Sequence, residues 1–279
     1  MFAQEIIRKE ALQRNLSPRT IETYCFCVDK FLRFCCKELK YVTRRDIEEY
    51  LSRLVLWNKS SNTLNVHLNA LKFLFEQCLK KRLTLKISFS KVPRTLPEFL
   101  TKEETAALLR SISNPKHRLM LQMLYGTGMR VSELLHLKVK DLDFNQNYGW
   151  VRQGKGRKDR LFVLPLHLKE CLAEHIRTEN LNRDSYLFVN SWKRPYSASS
   201  LRLILSRAAK QAGLVKNLHL HTLRHSFATH LIQNGYSVTE VQPLMGHNSI
   251  NTTMIYLHLA SPNLLNVQSP LDSLPEKIN

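Results

Sequence analysis

The stretch His219–His258 reads HLHTLRHSFATHLIQNGYSVTEVQPLMGHNSINTTMIYLH, and the reading of the whole chain turns on it. Wound as a helix at about 100° per residue, Leu220, Leu223, Phe227 and Leu231 form one apolar stripe. His221, Arg224 and His225 lie roughly a quarter-turn away, on a face with donors and a cation and no carboxylate. Gly246 closes a short helix just before His247, and Tyr256 follows among apolar neighbours. Imidazoles, a guanidinium and a phenol together point to phosphate chemistry.

The rest of the composition agrees with an anionic partner. Lys and Arg number 42 against 23 Asp and Glu, a formal charge of +19, far more than solubility requires. The cations are spread through a chain that is 43% hydrophobic, so the charge belongs to folded surfaces. A nucleic-acid duplex in a wide groove suits that distribution. At 279 residues the chain has room for two modest domains, each with its own core. No apolar run reaches the roughly 20 residues needed to span a bilayer, and the charged amphipathic start MFAQEIIRKEALQRN has no signal-peptide core, so a place in the cytosol or nucleoid is expected. Cys25, Cys27, Cys35 and Cys36 crowd together, but inside a helical stretch and without CxxC spacing. With Cys78 and Cys171 they are expected to be reduced, mostly buried thiols rather than zinc ligands.

Residues 1–82 read as four helices, about 2–14, 18–39, from Thr43, and 61–80. Ser17-Pro18 opens the second as an N-cap and N1 pair, and Thr43-Arg44-Arg45-Asp46 caps the third. Residues 83–98, with Pro93 and Pro97, lose the helical period and read as a basic interdomain linker. Residues 99–279 form the second domain. Thr101-Lys-Glu-Glu makes a capping box for a helix to about 111, and another covers about 115–125. Gly126-Thr-Gly-Met-Arg130 then places Arg130 at a helix start. Strands are expected at 148–153 and 160–164, joined by the basic turn Gly154-Lys155-Gly156-Arg157-Lys158-Asp159, with a third short strand at 186–189. Helices at about 168–179 and 198–212 complete the order. The class is mainly α with a small antiparallel sheet.

Metal chemistry fits these residues poorly. His221 and His225 have i, i+4 spacing, but Thr-Leu-Arg lies between them where a zinc protease needs a glutamate. Asp141 and Asp143 lack a third carboxylate partner for a two-metal site and are read as turn or cap residues. Without metal or other cofactor, a phosphodiester is opened by groups that neutralise its charge and activate nucleophile and leaving group. Arg130 and Arg224 suit the first task, because a guanidinium fork bonds two phosphate oxygens and keeps its proton. Lys155, between two glycines on the turn, can reach a leaving oxygen, with Lys158 its nearest rival. Tyr256 among such cations can act as a nucleophile. Glu133 is read as an ion-pair partner that orients Arg130, while His219, His225 and His258 are given structural or phosphate-contacting places.

Taken in order, these motifs resemble those of the tyrosine recombinase (phage integrase) family, particularly its Xer-like branch, over nearly the whole chain. Arg130 stands in TGxRxSEL, Lys155 in GKGxK, His221 and Arg224 in HxLRH, His247 in LxGH, and Tyr256 at the nucleophile's place. The resemblance implies an N-terminal four-helix, SAM-like DNA-binding bundle and a C-terminal catalytic domain. It implies that Tyr256 attacks the scissile phosphate to give a 3′-phosphotyrosyl enzyme and a free 5′-hydroxyl, with no cofactor. Arg130 and Arg224 would stabilise the transition state, His247 would assist, His221 would be the base and Lys155 the acid. Four protomers would synapse two duplex recombination sites and exchange strands through a Holliday junction, each C-terminal tail docking on its neighbour. A non-catalytic DNA-binding regulator and a relaxing topoisomerase of type IB are the alternatives that the fold also allows.

Overall fold

The computed structural model describes residues 2–84, 86–91, 97–152, 159–247 and 249–260. The chain divides into two compact units, Met1–Thr95 and Leu96–Asn279.

The first unit is a helical bundle: α1 (Phe2–Gln13), α2 (Pro18–Cys35), α3 (Arg44–Leu56) and α4 (Ser61–Lys72). Ser17 caps α2 by accepting from the Thr20 amide, with Pro18 in the first turn. This helix stops at Cys35, short of the expected residue 39, because Cys36 turns left-handed (φ 49°) and its amide closes back on Leu32 O. The α-helix begun at Ser61 gives way at Phe73 to a π-helical turn, Phe73–Cys78. Phe73, Leu74 and Phe75 are three consecutive buried side chains. A strict 3.6-residue turn would swing one of them outward, and the wider turn accommodates all three. Ile7, Val28, Phe31, Ile47, Tyr50 and Leu71 complete this core, and Tyr50 Oη bonds the buried His67 Nδ1 at 3.0 Å. The thiols are less buried than expected. Cys25 and Cys27 are in the core, where burial pushes Cys27 up to about 11, but Cys36 and Cys171 are exposed and Cys35 and Cys78 half-buried. The exposed pair follow from their places, one on a helix-terminating turn and one on the outer face of a helix. No group of metal-ligating side chains is found among the described residues.

The capping box of α3 yields a pH prediction. Asp46 accepts from the Thr43 amide at 2.8 Å and from Lys37 Nζ at 2.6 Å. The Lys37 hydrogen bond, followed by that of the Thr43 amide, holds the carboxyl at about 2, below its ordinary 3.8. Asp46 therefore contributes stability above pH 4 or so that fades as pH falls through about 2. In urea titrations followed by circular dichroism, wild type is expected to outlast Asp46→Asn at pH 6, with the gap closing toward pH 2. A gap that stayed constant over that range would refute this linkage.

The second unit contains α5 (Lys102–Arg110), α6 (Pro115–Thr127), α7 (Val131–His136), β1 (Leu142–Asp143), β2 (Tyr148–Val151), β3 (Arg160–Val163), α8 (Lys169–Thr178), α9 (Ala198–Gln211), α10 (Leu220–Gln233), α11 (Val238–Met245) and α12 (Ile250–Ala260). The strands form one antiparallel sheet in the order β1-β2-β3, with Tyr148 opposite Val163 and Val151 opposite Arg160. Gly149 is required there, since a Cβ would lie 2.3 Å from the Phe162 ring. The strand expected at 186–189 is absent. Only single bridges form, Lys138 to Tyr186 and Val189 to Pro195, and Pro195 has no amide proton with which to extend a ladder. Asp141 accepts from the Lys138 amide and from Arg152, and Asp143 from the amides of Asn145 and Gln146, so both act as local turn and cap acceptors.

Helix α10 runs through the middle of this unit, packed on α6 on one side and on α11 and α12 on the other. Leu220 and Leu223 join the large core with Met120, Leu124, Phe162 and Leu205, while Ala228 joins a smaller cluster with Val241, Met245 and Tyr256. The apolar stripe thus faces two cores at once, which drives Arg224 inward between them. No described helix is long and apolar enough to cross a membrane.

Candidate active site

Two left-handed glycines bring the site together. Gly128 (φ +59°) ends α6 and turns the chain so that Arg130 begins α7, and Gly246 (φ +58°) ends α11 just before His247. Neither tolerates a side chain. A Cβ on Gly128 would sit 2.3 Å from the Phe227 ring, and one on Gly246 2.7 Å from Arg160 Cδ.

Arg224 ties these two turns to each other. It is 4% exposed; its Nη1 donates to Gly128 O at 2.5 Å, and its Nη2 to Met245 O and to His247 Nε2, the latter at 3.1 Å. Burial, with the neighbouring Arg130, pushes the guanidinium down to about 10, which leaves it fully charged at neutral pH. Arg130 lies beside it, with Nη1 on Glu133 Oε1 at 2.7 Å and Nη2 on Gly246 O at 3.1 Å. Each arginine has five donors, and among the described residues neither uses all of them. A phosphate can take those that remain.

His247 is held at both nitrogens. A guanidinium only donates, so Nε2 is the acceptor toward Arg224, and Nδ1 carries the proton and donates to Thr253 Oγ1 at 2.9 Å. Burial and the two arginines push His247 down to about 4, hence neutral. Tyr256 stands on α12 one turn beyond Thr253, 3% exposed, with its ring parallel to that of His247 at 6.2 Å between centroids. Its hydroxyl is 3.0 Å from His225 Nδ1. Burial raises the phenol above its ordinary value, opposed by Arg224 and Arg130. His221 lies at the exposed rim, one turn before His225, where partial burial and the charges of Arg224 and Arg130 lower it.

Of the six residues singled out in the sequence, Arg130, Arg224, His247 and Tyr256 converge, and His221 stands at their edge. Lys155 lies outside the described residues, as do Arg157 and Lys158. Three further side chains belong to the cluster. Arg160, on β3, donates to Glu133 Oε2 at 2.7 Å and Leu244 O at 2.6 Å, so Glu133 is gripped by two arginines. Burial raises the Glu133 carboxyl, but Arg160 and the Arg130 hydrogen bonds outweigh it and keep the group ionised. Strand alternation signals Arg160, since it shares the inward face of β3 with Phe162. The other two are Thr253, spaced i, i+3 from Tyr256, and His225. The site as a whole can hold a phosphate between two guanidinium groups, beside a buried phenol.

Residues 98–262 match the Phage integrase family, and residues 4–85 match the phage integrase N-terminal SAM-like domain. A tyrosine recombinase of Pseudothermotoga lettingae is 36% identical over 257 residues, covering 88% of this chain and 89% of that one. The tyrosine recombinase XerA of Pyrococcus furiosus is 35% identical over 253 residues, 89% of this chain and 86% of the other. Among solved structures, the XerH site-specific recombinase bound to palindromic difH substrate in a post-cleavage complex superposes with a TM-score of 0.75. It is 29% identical, over 95% of this chain and 83% of that one.

Proposed function

We propose, since the chain belongs to the phage integrase family and is a tyrosine recombinase, that it cleaves and rejoins duplex DNA at specific sites with Tyr256 as nucleophile. The observation that carries this reading is the meeting of a buried phenol on α12 with Arg224 of α10, Arg130 at the start of α7 and His247 just beyond α11. The formal charge of +19 supports a DNA partner, as does likeness to a recombinase solved on its difH substrate.

In this reading Arg130 and Arg224 take the non-bridging oxygens of the scissile phosphate and stabilise the charge that builds as Tyr256 attacks. The phosphorus–tyrosine bond forms as the bond to the 5′ oxygen breaks. Lys155 donates a proton to that oxygen, and His221 at the rim accepts the tyrosine's. His247, released from Arg224, carries its proton on Nε2 and donates it in a hydrogen bond to the phosphate. The 5′-hydroxyl then attacks the phosphotyrosyl link of a partner strand, and two rounds pass through a Holliday junction. Four protomers on two duplexes, with C-terminal tails docked in trans, complete the assembly, and the work is done at the nucleoid. The domains that carry it are residues 1–82 and 99–279, joined by the linker 83–98.

The test is a duplex bearing the cleavage site mapped in the source replicon, nicked beside that site so that the cleaved strand diffuses away. A covalent protein–DNA adduct is expected, and a plasmid carrying two sites should yield recombinant circles. Absence of adduct would reduce the protein to a DNA-binding regulator, and relaxation without recombinants would make it a topoisomerase.

A further inference from the structure

Two imidazoles on successive turns of α10 face the region of the nucleophile, His221 and His225, with ring centroids 6.3 Å apart. Only the second meets the reacting atom, for the hydrogen bond recorded for Tyr256 Oη runs to His225 Nδ1, at 3.0 Å. The phenol is almost wholly buried, so its O–H must find an acceptor inside the protein. Burial and the nearby His221 and Arg224 push His225 down to about 4, so the ring is neutral and one nitrogen is free to accept. The assignment that satisfies the phenol's proton has Nδ1 accepting and Nε2 protonated. The two rings lie 5.7 Å apart between centroids at 43°, and the parallel ring of His247 bounds the phenol as well.

We propose that His225 is a further catalytic residue of this chain, one that accepts the Tyr256 hydroxyl at Nδ1 and holds the nucleophile oriented and protonated until a phosphate enters between the arginines. The inference rests on the recombinase reading. Its chemical content is orientation. A phenol with one free torsion about its C–O bond and a swinging ring has many poses that cannot attack, and a fixed acceptor removes most of them. His225 directly follows Arg224, so the same turn of α10 that fixes the phosphate-binding guanidinium also fixes this acceptor. A shift of α10 moves both together, which keeps nucleophile and phosphate site in register.

Side-chain geometry supplies the test. An asparagine places its Oδ1 where a histidine has Nδ1, whereas a glutamine reaches the place of Nε2. His225→Asn is therefore expected to keep the adduct rate at saturating nicked duplex within about threefold of wild type. His225→Gln and His225→Ala should lose tenfold or more, with unchanged affinity for the duplex. The hydrogen bond is also read without DNA. With tyrosine labelled at ¹³Cζ, the Tyr256 resonance should stay put in the Asn variant and move in the Gln variant. If all three variants match wild type in adduct rate, or if Gln substitutes as well as Asn in both measurements, the proposal is wrong and His225 only fills space. Should the Ala variant fail to fold, the Asn and Gln pair decides. Failure of the wild type to form adduct would overturn the recombinase reading, and the resonance would still decide whether His225 holds the phenol.

Discussion

Tyr256→Phe is expected to bind its duplex with the wild-type affinity and to form no covalent adduct. The change removes one oxygen from a ring that also packs on Ala228, Val241 and Met245 and against the His247 imidazole, so the pocket that holds it survives. What is lost is the hydrogen bond to His225 Nδ1, a stability cost of about 1 kcal/mol. The arginines would still hold the phosphate. With its nucleophile gone, the site has only water to offer, and losses of about 10⁶-fold are typical when such a nucleophile is deleted. Denaturing gels after hours of incubation with the nicked duplex should show no shifted band, while gel shifts under native conditions should show the usual complex. An adduct formed by the Phe variant would place the nucleophile elsewhere, with the other tyrosines the first to check.

The sequence signals that carry local rules translated directly into structure. Ser17-Pro18, Thr43 with Asp46, and Thr101 with Glu104 all cap the helices they precede, because a cap depends on residues within one turn. The glycines of the two short motifs likewise adopt the left-handed turns that only glycine enters freely. Interactions across long separations were not legible in the same way. Arg160 meets Leu244 O from 84 positions away and Glu133 from 27, and no local pattern announces either contact. His225 read as a spare histidine because its partner is 31 residues downstream. The strand expected at 186–189 failed for a related reason. Its apolar run marks burial correctly, but a ladder needs a neighbour with amides to offer, and Pro195 offers none. The break from α to π geometry at Phe73 was hidden as well, since three successive apolar residues are compatible with either a buried strand or a helix under strain.

The same distinction between local and distant contacts shapes what Arg224→Lys should do. A lysine keeps the positive charge and about the same reach, so an argument from charge alone predicts a mild effect. The structure predicts a severe one. Arg224 spans three acceptors, Gly128 O, Met245 O and His247 Nε2, and still has donors left for a phosphate. An ammonium has three donors on a single atom and cannot reach both turns at once. One buried carbonyl would be left unpaired, at about 1–3 kcal/mol, and His247 would lose the contact that fixes its tautomer. The variant should still fold, with a lowered melting temperature. Its cleavage rate should fall by roughly 10²–10³-fold, the usual cost of losing a preorganised donor to a developing negative charge. Single-turnover adduct rates at saturating duplex, measured well below the variant's own melting temperature, separate this loss from instability. A rate within threefold of wild type would mean that charge alone matters at this position and that the guanidinium's bridging of the two glycine turns has no part in the chemistry.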